Sequence, residues 1–100
     1  MIKHIVMFRL KDAQGRTAKE NALEAQKKAA VLKEKINCLK NIEAVVNADG
    51  ADGGNYHFAL VCEFDSIDDL NKYQVHPEHL KFGAFISEVK ESRACIDYEC

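Results

Sequence analysis

The amino-acid sequence predicts an α+β fold: a ferredoxin-like βαββαβ protomer with a four-stranded antiparallel sheet and helices on one face. Three observations carry this. Apolar residues alternate with period two near both ends and in the middle of the chain, and recur at helical spacing in between, giving the order strand, helix, strand, strand, helix, strand. A turn rich in glycine, aspartate and asparagine joins the two central strand-like runs as a hairpin. The first and third strand-like runs are apolar on both faces, yet the helices can cover only one.

Each element has its own signal. Residues 2–11 alternate Ile2, His4, Val6, Phe8 and Leu10 against Lys3, Ile5, Met7 and Arg9. Residues 16–38 read as one long helix, with Thr17 or a neighbour as N-cap and Ala22, Ala25, Ala29, Leu32 and Ile36 on the inner side. Ile42 to Ala48 is a short strand. Asp49 to Asn55 is the turn, and Tyr56 to Asp65 is the best strand, alternating Phe58, Leu60, Cys62 and Phe64 against Ala59, Val61 and Glu63. Ser66 caps a second helix that ends near Val75, with Asp69 three residues on. Pro77 breaks the helical run, a further helix carries Phe82, Phe85, Ile86 and Val89, and Ser92 to Glu99 is the last strand.

Length and composition bound what the chain can be. One hundred residues make a single domain spanning 1–100, which buries roughly two-thirds of its unfolded surface. Hydrophobic residues at 47% and charged residues at 30% describe a globular chain. A net charge of −2 gives nucleic acid no electrostatic purchase, so no nucleic-acid partner is expected. The apolar start is too short and too interrupted by Lys3, His4 and Arg9 for an export signal or a membrane span. Cys38, Cys62, Cys95 and Cys100 form no CxxC pair, so they are expected as reduced thiols in a cytoplasmic protein, Cys62 and Cys95 in the core.

The densest chemistry is Tyr73-Gln74-Val75-His76-Pro77-Glu78-His79, where two of four histidines and a tyrosine surround the only proline. Imidazole exchanges protons near neutral pH, and the phenol hydroxyl donates or accepts a hydrogen bond. His79 as general base and Tyr73 as oxyanion donor would suit proton abstraction beside a carbonyl. The competing reading makes His79 a helix cap or a backbone hydrogen-bonding group, and His76 the residue that shapes the turn. His4 and His57, on adjacent strands, are expected either as satisfied interior groups or as walls of a shared polar pocket. No third ligand converges on His76 and His79, so no metal is expected.

The stretches Ile2–Lys11, Tyr56–Leu60, Leu70–His79 and Asp97-Tyr98 together resemble the stress-responsive dimeric α/β-barrel (Dabb) domain family, along nearly the whole chain. The resemblance implies a protomer whose sheet packs face to face with a partner's to close a dimeric α+β barrel. Within that family the motif is similar to plant polyketide cyclases of the olivetolic acid cyclase type. That similarity implies catalytic roles for Tyr73 and His79, substrate contacts from His4 and His57, and no cofactor; His76, inside the same motif, is expected as a further substrate contact. Two function classes follow: a cofactor-free cyclase or lyase acting on a small carbonyl-containing ligand, and a non-catalytic stress-related homodimer.

Overall fold

The computed structural model describes all of Met1–Cys100. Its elements run β1 (Ile2–Leu10), α1 (Ala18–Ala29), α2 (Leu32–Lys35), β2 (Asn41–Val46), β3 (Phe58–Phe64), α3 (Ile67–Val75), α4 (Pro77–Val89) and β4 (Lys90–Glu99). The strands form one sheet in the order β2-β3-β1-β4, with every neighbouring pair antiparallel. This is the ferredoxin-like α+β arrangement that the element order predicts.

The helices start where local chemistry starts them. Thr17 accepts the Glu20 amide on its hydroxyl at 3.1 Å, and the Glu20 carboxylate accepts the Thr17 amide at 2.9 Å, a complete capping box. Ser66 Oγ accepts the Asp69 amide at 3.1 Å at the head of α3. His76 ends α3 and caps α4, in an extended conformation with φ −64° and ψ 137°, as the residue before a proline must be. Pro77 then occupies the first turn of α4, where its missing N–H is not needed.

The single helix expected over residues 16–38 is instead two, α1 and α2, separated by a bend at Ala30 and Val31. No breaker residue marks this point. A continuous helix of that length would run about 35 Å at 1.5 Å per residue, as long as the 35 Å long axis of the molecule. The bend keeps the chain on the sheet and buries Leu32 and Ile36. The last strand also starts earlier than expected, at Lys90, immediately after α4.

The core lies between the helices and the inner sheet face. Phe58 stacks on Phe8 at 6.1 Å between ring centroids and meets Phe82 from α4 at 6.3 Å. Each such ring stabilises the fold by about 1.5–3 kcal/mol through burial. Cys62 is fully buried in this layer, and burial pushes its thiol up to about 12. Cys95 corrects an expectation: it is exposed on β4, because β4 is an edge strand that the helices do not reach across.

The outer face of the sheet is apolar and uncovered. Ile5 stands opposite Val61 on one side and Ile96 on the other, and Met7 stands between Ala59 and Ala94. Ile96 is 61% exposed and Met7 39%. No helix is long and apolar enough to cross a membrane.

Candidate functional site

The α3–α4 corner sets the geometry. Tyr73 lies near the end of α3 with its ring fully buried, and His79 lies in the first turn of α4. The Pro77 break folds the two helices so that these rings meet at 4.4 Å between centroids, tilted by 52°. His4, reaching up from the central strand, approaches the tyrosine ring edge-on at 6.4 Å. Phe64 packs on Tyr73 at 5.0 Å. Together His4, Tyr73 and His79 line a cavity of about 190 Å³, closed by Phe8, Phe82 and Ile86 on its apolar side.

Hydrogen bonds assign the imidazoles. The Gln74 carbonyl can only accept, so His79 Nδ1, 3.1 Å away, carries the proton in the neutral ring and Nε2 holds the free lone pair. His4 Nδ1 pairs with the Asp97 carboxylate across the β1–β4 ladder, where the two residues are register partners. That contact holds the His4 ring and likewise leaves its Nε2 free.

Burial sets the protonation states. Desolvation lowers the His79 pKa below its usual value, reinforced by the charges of His4, Arg93 and His76 and opposed by the Gln74 carbonyl. His79 is therefore neutral at pH 7, the state a base needs. Desolvation also raises the Tyr73 pKa far above its usual value, and the neighbouring Cys62 adds to it. Tyr73 stays a phenol and keeps a proton to donate. Its hydroxyl is buried, and no group stands in hydrogen-bonding geometry with it, the nearby Cys62 thiol included.

The lowered His79 pKa has a measurable consequence. The unfolded chain binds a proton near pH 6.5, which the folded protein resists. Stability should be fully present above that pH and fall as pH drops through it, levelling off once the folded group also protonates. Urea unfolding of the parent between pH 7.5 and 5 should show this loss, and His79→Gln should flatten it. An equal slope in both proteins would rule His79 out as its source.

Two expected wall residues lie elsewhere. His57 Nδ1 accepts the Leu10 amide at 3.0 Å, and the ring sits beside Lys19, Ala48 and Asp49, away from His79. Hairpin closure takes it: Leu10 lies past the end of the β1–β3 ladder and its amide needs an acceptor. His76 Nδ1 accepts the Glu78 amide at 3.1 Å and serves as the α4 cap. Neither borders the cavity. Conversely, Asp97, Lys90 and Arg93 belong to the site's surroundings and carried no role in the sequence. Their contacts depend on a ladder that joins the two ends of the chain.

Other features are weaker. His4 Nδ1, Cys95 Sγ and an Asp97 carboxylate oxygen lie within 4.8 Å of one another. There His4 and Asp97 already satisfy each other through a proton, which a metal would have to displace. A wider depression of about 550 Å³ lies beside the hairpin turn, lined by Met7, Val45, Tyr56 and Ala59. It holds no histidine or carboxylate.

Comparison with known proteins matches the chain to a family. The model of the stress responsive A/B barrel domain matches residues 2–100. No curated protein matches the chain. A dimeric protein of ferredoxin-like fold from Bacteroides fragilis is 36% identical, with a TM-score of 0.85 over 99% of this chain and 95% of that one. A dimeric ferredoxin-like protein from Thermobifida fusca is 28% identical, with a TM-score of 0.83 over 99% and 90%. A hydroxynitrile lyase from Passiflora edulis is 15% identical, with a TM-score of 0.73 over 97% and 90%, a likeness of fold alone.

Proposed function

The chain belongs to the stress-responsive A/B barrel domain family, and we propose that it is a homodimer that binds a small carbonyl-containing molecule beside Tyr73 and His79 and acts on it without a cofactor. The observation that carries the reading is the Tyr73 hydroxyl, buried without a partner beside a neutral imidazole in the wall of a cavity. A buried donor left unpaired costs about 1–3 kcal/mol, and a ligand oxygen would remove that cost. His79 Nε2 takes the proton from the carbon next to the carbonyl, and the C–H pair becomes the enolate. Tyr73 donates to the enolate oxygen. The enolate carbon then attacks a second carbonyl of the same molecule, and the imidazolium returns its proton to the new alkoxide. This is the intramolecular aldol step of a polyketide cyclase-like lyase. The homodimer would bury the row of Ile5, Val61 and Ile96, over about 1,600 Å² in total. The dimeric state of both bacterial relatives supports it.

A linear poly-β-keto thioester tests the chemistry. The parent should release a cyclised product, and His79→Ala should release none while keeping the parent's urea midpoint within about 1 kcal/mol. If His79→Ala unfolds, the residue is structural. If it cyclises like the parent, it is no base. The second reading, a non-catalytic homodimer, draws on size: 190 Å³ is smaller than the roughly 300–1,000 Å³ of most ligand pockets. No cyclised product from the parent, across thioesters of two to four ketide units, would favour it.

A further inference from the structure

We propose that the ligand of this cavity carries a carboxylate, held by Lys90 and Arg93, so that the preferred substrate class is a small polyketo acid rather than a neutral polyketone. The inference rests on reading the cavity as a ligand site and adds what the ligand must be.

The first ground is backbone geometry. Lys90 and Arg93 are three residues apart in β4, and strict alternation would send them to opposite faces of the sheet. The β1–β4 register slips here: Arg9 faces Ser92, but Leu10 faces Lys90, so Glu91 is passed over. This irregularity brings Lys90 and Arg93 to the same cavity, and Glu91 is not among its walls. Bulges re-aim side chains in this way.

The second ground is charge. The cavity wall includes two permanent cations and no carboxylate. Neither cation belongs to any of the ion pairs of the protein, which engage Lys19, Lys27, Lys28, Lys35, Lys40, Lys72, Lys81 and His4. Asp97, on the same strand, is committed to His4. A guanidinium and an ammonium beside apolar walls are suited to one carboxylate, through charge-assisted hydrogen bonds.

The third ground is layout. Tyr73 and His79 offer the neutral donor and the base that a carbonyl group uses, whereas Lys90 and Arg93 offer charge. Arg93 also stands close enough to His79 for its charge to add a smaller push to the lowering that burial causes. The volume of 190 Å³ holds about ten non-hydrogen atoms at interior packing density. A short keto acid fits that volume, with its carbonyl toward Tyr73 and His79 and its carboxylate toward the cations.

The test compares 4-oxopentanoate with 2-hexanone, an anionic and a neutral ketone of similar length. Binding is followed by the His79 ring proton shifts in NMR titrations of the full-length protein. The acid should bind at least tenfold more tightly than the ketone, and its affinity should fall between 50 and 500 mM salt. In Lys90→Gln/Arg93→Gln the two affinities should come within about twofold of each other. Equal affinities in the parent, or an advantage for the acid that survives the double substitution, would overturn the carboxylate assignment and leave the cavity reading intact. If neither compound shifts His79 at 50 mM, the cavity does not take ketones, and both readings fall. Should the double variant misfold, the single Arg93→Gln, an exposed position, carries the same comparison.

Discussion

Tyr73→Phe is expected to raise the stability of the unliganded protein by about 1 kcal/mol and, with a cyclising substrate, to slow turnover by roughly 10²–10³-fold. The two effects share one cause. The hydroxyl is buried and unpartnered, so the empty protein gives up its hydration for nothing, and removing the oxygen removes that cost. The ring keeps its contacts with Phe64 and His79, so no large cavity opens. In turnover the same hydroxyl meets the enolate oxygen, and its loss raises the barrier. Urea unfolding and steady-state rates measure the pair. A gain of 1 kcal/mol corresponds to a rise in Tm of about 4–8 °C for a domain this size. Lower stability in Tyr73→Phe would mean that the hydroxyl has a partner in the folded protein. Unchanged turnover would remove Tyr73 from the chemistry and leave it as core.

Ile96→Asp is expected to convert the proposed homodimer to monomers at micromolar concentration, weakening association by at least 10³-fold. Ile96 is 61% exposed in the single chain, so aspartate there costs the protomer little. In an isologous interface every substitution enters twice, and two carboxylates would be buried without partners among Ile5, Val61 and their copies. Light scattering should give twice the 11.3 kDa chain mass for the parent and the single mass for the variant. A parent that already has the single mass sinks the dimer. A variant that stays dimeric moves the interface off this sheet face.

Much of this protein is legible in one dimension because its signals are local. Period-two alternation in Ile2–Leu10 and Phe58–Phe64 is a property of neighbours on a pleated strand. Thr17, Ser66 and the His76-Pro77 break act within a few residues of themselves, so the helix starts could be read directly. The motif from Tyr73 to His79 is equally local, and the corner it forms brings the two rings together.

The remaining features depend on chain segments far apart in sequence. The bend after Ala29 answers to the length of the sheet beneath it, which no residue near Val31 encodes. His57 has the composition of a pocket residue, but the amide of Leu10, 47 positions away, takes its acceptor nitrogen. Asp97 reaches His4 across 93 positions through the β1–β4 register. The slip in that same register carries Lys90 and Arg93 to the cavity. A strand's alternation determines which side chains share a face. Which residues of another strand stand opposite them follows from ladder hydrogen bonds and core packing, and these form only when the whole sheet closes.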